Sequence, residues 1–468
     1  MLEKDETKIE DIIKELIEDH EEDRQRMIDL YEKYKGDVKI LSRRFEDPEK
    51  INNKIVNHYR GEIINQIVGY LFGKPITYQL EEEGYDESDV DKYHELLTRF
   101  KKRNNIEDLD SKTGKLMSIC GYGARLCYID GNGYERVMNI KPWEAIIIKD
   151  ASLDETQYAI RYYPVYMKEY NLTKQKEELV ERYRVEFYDG KNITFYLQNK
   201  YGNYDLDHTV ENNPMPHYFD YVPVIKFTNN DEEMGDFEVV DSLVDAYDRL
   251  ISDAQNEVEE FRQAYMIFSG NITVDKEFIK QARQTGAIQV PDGSVTYLTK
   301  DINPTMYENQ KKTLNDNIYK FAETVDMSDE KFSGSQQSGE ARKWKLLALE
   351  NKAITKERKF TAALREMFKV IGSSWKKKGL EVDYLDLYWN FTRNIPIDLK
   401  YIADSVTELK GVISDQTLLS LMPFIDDVKG EMDRIEEEKE KDEDVMSLYD
   451  DEEELEDQEE TGTPGAGE

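Results

Sequence analysis

Apolar positions at the start of the chain recur at helical spacing on a charged background. Ile9, Ile12, Ile13, Leu16 and Ile17 mark one amphipathic stripe; Met27, Leu30, Tyr31 and Tyr34 mark a second, with Gly36 placed to end it. A third helix is predicted over residues 51–72, through Ile55, Tyr59, Ile63, Ile67 and Tyr70. Gly73-Lys74-Pro75 stops it, because proline cannot continue a helix. Between about 121 and 227 the apolar residues alternate or cluster in short runs (124–129, 145–148, 158–163, 184–188 and 193–197). Asp130-Gly131-Asn132-Gly133 and Asp189-Gly190 supply turn chemistry between them, so a mostly antiparallel sheet region is expected. Its many tyrosines suit a half-buried pleated surface.

Helical patterning then returns. One sustained stripe over 236–269, through Val240, Val244, Tyr247, Ile251 and Val258, predicts a rod roughly 50 Å long, ended by Gly270. A small unit follows: a short helix near 275–284, a run at 287–290, the turn Pro291-Asp292-Gly293 and a run at 295–298. Pro304 opens another helix to about Thr324, since its missing N–H costs nothing there. Two helices flanking a small unit predict an antiparallel pair with a knob at its tip. Residues 325–337, rich in Ser, Gly, Asp and Gln, read as a loop, and Ser338 can cap a long helix reaching about Lys378. That helix carries Phe360, Ala363, Leu364, Met367, Phe368, Ile371 and Trp375 on its apolar face. A strand is expected at 385–391, and helices at 402–412 and 415–436. No internal repeat is visible.

Charge narrows the function. The 468 residues hold 63 Lys plus Arg against 99 Asp plus Glu, a formal net charge of −36. From Glu436 to Glu468 there are 17 acids and two lysines, so this stretch supplies −15 and the remaining body keeps −21. The acidic stretch cannot bury enough apolar surface to order itself and is expected to be disordered. A body this acidic is not a conventional DNA binder, whose affinity comes from clustered Lys and Arg. Two cysteines exclude a disulfide scaffold and a cysteine-rich zinc module. Neither a signal-peptide core nor an apolar run of membrane-spanning length is present, so a soluble intracellular protein is expected.

Catalytic chemistry finds no anchor. Gly69-Tyr70-Leu71-Phe72-Gly73-Lys74-Pro75 has the wrong spacing for a phosphate-binding loop and reads as a helix end. Gly121-Tyr122-Gly123 lacks the third glycine of a dinucleotide fingerprint and reads as a tight turn beside a strand. Cys120 and Cys127 fit no metal or redox spacing and read as small buried thiols. His20, His58, His94, His208 and His217 are scattered and form no ligand pair. No catalytic, cofactor-binding or metal-ligating residue is singled out, and no cofactor is expected.

Two blocks carry a recognisable pattern. The first joins Leu30-Tyr31-Glu32-Lys33-Tyr34-Lys35-Gly36, Asn52-Asn53-Lys54-Ile55-Val56-Asn57-His58-Tyr59 and the Gly69–Ile76 stretch; the second runs from Ser338-Gly339-Glu340-Ala341-Arg342-Lys343-Trp344-Lys345-Leu346 through Glu350-Asn351-Lys352 to Lys356-Glu357-Arg358-Lys359-Phe360. With Phe391-Thr392-Arg393-Asn394-Ile395-Pro396, these resemble the portal proteins of tailed bacteriophages, of the siphophage type. The resemblance implies an α+β, predominantly helical subunit and no enzyme. Its expected parts are a wing over 1–235, a stem helix over 236–269, a clip over 270–304 and a second stem helix over 305–324. A tunnel loop over 325–338, a long helix and returning wing strand over 339–396, a crown over 397–440 and a disordered tail over 441–468 complete it.

The same resemblance implies a dodecameric ring at the capsid vertex that conducts double-stranded DNA during packaging and ejection. Implied partners are the terminase large subunit, the major capsid and scaffolding proteins and a head-completion or adaptor protein, with no membrane; the implied location is the virion, and the host cytoplasm during assembly. Lys331, Ser333, Ser335, Gln336 and Gln337 would then face DNA, and Lys276, Lys280 and Arg283 the motor or adaptor. Two other classes compete with this reading: a metal-dependent nuclease or other DNA-processing enzyme of the packaging machinery, and a helical scaffold with no channel.

Overall fold

The computed structural model describes residues 6–150, 152, 155–171, 175–262, 265–269, 275–285, 293–298, 304–327, 346–380, 383–395, 406–420, 422, 425, 428 and 430–438. The chain divides into two compact units, Met1–Asn394 and Ile395–Glu468.

The first unit opens with helices α1 (Glu6–Asp19) and α2 (Glu21–Lys35) on the two expected stripes. Gly36 ends α2 at φ +101°, the left-handed conformation glycine adopts without strain. Helix α3 spans Tyr59–Phe72, so the helix expected over 51–72 is eight residues too long. Residues 51–57 form neither helix nor strand. Asn52, Asn53 and Asn57 are weak helix formers, and this segment finds its backbone partners on another helix. After β1 (Thr77–Leu80) come α4 (Glu87–Asn104) and α5 (Ile106–Cys120). Gly121, at φ +92°, closes α5 where an added Cβ would strike the Glu233 carbonyl, and the chain turns straight into strand β2.

Strands β2 (Tyr122–Ile129), β3 (Glu135–Ile140), β4 (Ala145–Lys149), β5 (Thr156–Asn171), β6 (Lys176–Tyr188), β7 (Asn192–Gln198), β8 (Tyr204–Leu206), β9 (Met215–Pro216) and β10 (Val224–Thr228) fill the expected antiparallel region. They form two sheets rather than one: a three-stranded sheet in the order β10-β2-β3, and a six-stranded sheet in the order β4-β5-β6-β7-β8 with β9 also on β7. The larger sheet receives α1, whose Ile13 and Ile17 pack with Ile160, Tyr162, Val185 and Phe187.

The rod expected over 236–269 is shorter. Helix α6 occupies Asp241–Arg262, after a 3-10 turn at Glu238–Val240, and Tyr265–Ser269 is strand β11. The run Tyr-Met-Ile-Phe has no polar face to give a helix, and it pairs antiparallel with β12 (Ser294–Leu298), Tyr265 opposite Leu298. Between these strands lies α7 (Lys276–Thr285); the expected run at 287–290 falls outside the described residues. Helix α8 (Pro304–Ala322) returns alongside α6, with Tyr59 packing edge-on against Tyr247 near the start of one and Tyr319 near the end of the other.

Helix α9 (Leu347–Lys377) buries Phe360, Ala363, Leu364, Met367, Phe368, Ile371 and Trp375, the predicted face. Phe360 sits among Phe72, Phe227 and Phe391, and Phe368 among Phe100, Trp375 and Trp389. This aromatic core is closed by β13 (Leu387–Asn390), which pairs with β1, Tyr78 opposite Trp389. The segment 338–345 ahead of α9 lies outside the described residues.

In the second unit the expected helix over 402–412 stops at Leu409, where Lys410 bridges to Ile413, and α10 covers only Asp415–Ser420. Met422 and Ile425 are non-helical, so the single helix expected over 415–436 is broken; a proline at 423 disfavours helical backbone in the residue before it. The acidic segment from 439 onward lies outside the described residues.

Candidate functional site: a two-helix stem and its anchors

Helices α6 and α8 pack together with β11, α7 and β12 between them in the chain, the helix pair with a small tip that the sequence pattern predicts. Val244, Tyr247, Ile318 and Ala322 pack this pair into the main core, and buried polar contacts fasten it further. Residues 53–57 lie extended and antiparallel along α6. The N–H groups of Asn53, Ile55 and Asn57 donate to Asn256 Oδ1 (2.8 Å), Ser252 Oγ (3.0 Å) and Asp248 Oδ1 (2.8 Å). Every second residue of an extended strand advances about 6.7 Å and every fourth residue of a helix about 6.0 Å, so the two repeats match over this length. Three buried side chains on one helix face thus act as a sheet edge for the strap.

Beside the strap, Arg60 is 2% exposed and reaches Asp241 and Asp245, each at 2.6 Å, with Asp248 at 3.9 Å. Lys33 also binds Asp241 at 2.7 Å. Burial would push the Asp241 carboxyl up, but hydrogen bonds and charge from Lys33 and Arg60 hold it below the usual carboxylate range. Asp248 goes the other way: burial raises it above that range despite its bonds to Asn57.

A second fastening sits where α9 passes the roots of both stem helices. Lys356, 2% exposed, donates to Asp236 Oδ2 at 2.7 Å and to Ser118 Oγ at 3.0 Å, and also to Asn229. One turn earlier, Lys352 donates to the Ala322 carbonyl at the end of α8 (2.7 Å) and lies 3.8 Å from Asp236. Burial pulls the Lys356 ammonium below its ordinary value. Burial would raise Asp236, but the Lys356 and Lys352 charges outweigh it and depress that carboxyl. A third fastening is Arg393, which binds Glu350 at 3.0 Å and Glu357 at 2.7 Å; Tyr70 also donates to Glu350.

These contacts explain the sequence blocks that carry no catalytic chemistry. Asn53 and Asn57 hold α6, Glu350 and Lys352 meet Arg393 and the end of α8, and Asn394 donates its N–H to the Tyr70 carbonyl. Lys356 stands in the second sequence block with no role assigned to it, although a signal for one exists. It falls on the apolar stripe of α9, between Ala353 and Phe360, where a lysine is out of place unless paired.

Of the residues singled out beforehand, Lys276 and Lys280 are exposed on α7, one turn apart, and Arg283 lies in the same helix. Lys331, Ser333, Ser335, Gln336 and Gln337 lie outside the described residues. Cys120 and Cys127 are free and buried, and burial pushes both thiols up to about 12. His20 shares a hydrogen bond with the Tyr162 hydroxyl at 2.8 Å, and His217 one with the Asp189 carbonyl at 3.0 Å. Among the described residues no group of three or more His, Cys, Asp or Glu side chains is gathered as a metal site, and no helix is long and apolar enough to cross a membrane.

An α+β fold with a long helix pair, a small tip and buried polar fastenings is a structural type, and comparison with known proteins gives it a family. The family described as phage portal protein, SPP1 Gp6-like, matches residues 13–444, and the chain belongs to it. It is 28% identical over 408 residues to the portal protein of Bacillus phage SPP1, covering 84% of this chain and 77% of that one. To the portal protein of Clostridium phage phiCD119 it is 24% identical over 410 residues, covering 83% and 86%.

Proposed function

We propose that this chain is the subunit of a closed ring, dodecameric in the virion, that conducts double-stranded DNA through the capsid vertex during packaging and ejection. The observation that carries the reading is the α6–α8 pair with its sheet-and-helix tip, in a chain that the portal family matches over residues 13–444. In this reading α6 and α8 are the stem, β11, α7 and β12 the clip, residues 325–338 the tunnel loop and 397–440 the crown. Residues 1–235 form the wing, with the strand β13 returning to it. Lys276, Lys280 and Arg283 then meet the terminase large subunit and later the head-completion or adaptor protein. Contacts with major capsid and scaffolding proteins let the ring nucleate the procapsid in the host cytoplasm.

The net charge of −36 supports a conduit rather than a grip. A wall of like sign repels phosphates, so DNA slides instead of sticking. A ring also follows from geometry once copies join head to tail, because a heterologous interface either closes or grows without limit. Electron microscopy of the purified protein tests the reading: rings with a central hole are expected. Monomers or twofold dimers at micromolar concentration across several salt conditions would overturn it.

A further inference from the structure

The chain leaves α8 through a short, strongly held exit. Glu323, the residue after the helix, sits at φ +58°, a left-handed conformation that a side chain makes costly. The reversal is completed by the Thr324 N–H, which donates to the Tyr319 carbonyl at 3.0 Å. Such a conformation persists only when its surroundings over-determine it. Here three helices do so. Lys352 of α9 holds the Ala322 carbonyl at 2.7 Å, and Asn315 of α8 donates to Asp326 at 2.9 Å. Gln66 of α3 binds the backbone of Val325 twice: its Nε2 donates to the Val325 carbonyl at 2.7 Å, and its Oε1 accepts the Val325 N–H at 2.8 Å.

We propose that Gln66 is the positioning residue for the DNA-facing loop, fixing where and in which direction the chain departs from the stem. This rests on the reading of residues 325–338 as that loop. A side-chain amide satisfying both backbone groups of one residue copies the pairing of an antiparallel ladder, so it specifies orientation as well as distance. Lys352 and Asn315 hold the residues on either side. Gln66 alone among these three grips the backbone of Val325, the first residue of the loop. In a ring each copy must present its loop at the same height, and a root that swivels would spread the loops along the channel.

The test compares Gln66→Ala with Gln66→Glu in the assembled ring and in packaged particles. The alanine removes both bonds. The glutamate is close in size and keeps an acceptor for the Val325 N–H but loses the donor to its carbonyl. Amide exchange in the peptide containing Val325 should quicken about tenfold or more in the alanine variant and less in the glutamate variant. Rings and melting temperature should stay near wild type, while the fraction of particles that retain DNA falls in the same order. Unchanged exchange overturns the proposal. So does faster exchange with wild-type DNA retention, provided that deleting residues 333–337 impairs retention in the same assay. If that deletion is also without effect, the channel reading itself fails and the positioning role falls with it. Should the alanine variant not form rings, the glutamate variant carries the same two measurements.

Discussion

The two helices at the heart of this unit solve the same packing problem with opposite chemistry. Helix α9 drives Phe360, Phe368 and Trp375 into an aromatic core and admits one buried charge, Lys356. Helix α6 buries Val244 and Tyr247 near its start but then turns Asp248, Ser252 and Asn256 inward to hold a strap of extended chain. The aromatic face gains from area removed from water and is indifferent to direction. The polar face gains little net energy per bond, but it fixes register, because the N–H groups of Asn53, Ile55 and Asn57 each have their own partner on α6. Helix α9 therefore supplies cohesion and α6 supplies alignment.

The largest effect should come from the point where the two designs meet. Lys356→Met leaves Asp236 buried with the Asn229 amide at 3.1 Å and the Lys352 charge 3.8 Å away to compensate it. Removing one partner of a buried pair typically costs about 3–5 kcal/mol, which denaturant titration of the assembled protein would read. The double variant Lys356→Met with Asp236→Leu should recover most of that loss. The pH dependence has a definite sign. Asp236 is depressed in the folded protein, so its contribution is complete above the ordinary carboxylate range, around pH 4, and is lost as pH falls through its lower folded value. The gap between wild type and the single variant should narrow as pH falls, starting where the variant's less compensated Asp236 takes up its proton and ending below the wild type's lowered value. A gap constant down to the acid transition would show that Lys356 acts through packing of its stem instead.

How far the sequence foretells these helices follows the same division. The aromatic face of α9 was legible because seven of its buried residues repeat at helical spacing, and both turns flanking α8 are marked by Pro304 and the polar run after Thr324. The strap was not. Ile51, Ile55 and Tyr59 mimic a helical stripe, and nothing local reveals that the N–H groups of Asn53, Ile55 and Asn57 are taken by side chains about 200 residues away. The overlong rod at 236–269 failed for a related reason: Tyr265 and Phe268 continue a helical spacing, yet their strand partner lies beyond α7. Of the candidate site, the stem and tip were readable as pattern. The fastenings made by Arg60, Lys356, Arg393 and Gln66 were not, since each joins elements distant in the chain.

An intermediate effect is expected from the polar side of the comparison. Ser252→Ala removes the acceptor of the Ile55 N–H and leaves that half-buried donor unpaired. The expected cost is about 1–3 kcal/mol, the usual range for an orphaned buried group. Because the bonds on either side remain, the loss should be local. Hydrogen exchange should quicken at residues 53–57 while the peptides of α9 keep wild-type protection. If protection falls equally in α9, the strap and the aromatic core unfold as one cooperative body and the division of labour between them is wrong.

The smallest effect has the most informative sign. Asp248 Oδ1 accepts both the backbone N–H and the side-chain amide of Asn57, at 2.8 and 2.9 Å, whereas Oδ2 has no hydrogen-bond partner among the described residues and Arg60 stands 3.9 Å off. Burial raises this carboxyl above its ordinary range, with Asp245 adding to the rise. A raised folded value favours the protonated form. Its benefit is therefore present below the ordinary range and lost as pH climbs through the raised value, so at neutral pH the ionised group is a net cost. Asp248→Asn can keep an oxygen on Asn57 and carries no charge. Stability at pH 7 should rise by less than about 1 kcal/mol, and the gain should fade on acidification as the wild-type carboxyl takes up its proton. A loss of stability at pH 7 would mean that attraction to Arg60 outweighs burial. The face of α6 would then be held by charge, as the root of α9 is, and the contrast between the two helices would shrink to one of aromatic content.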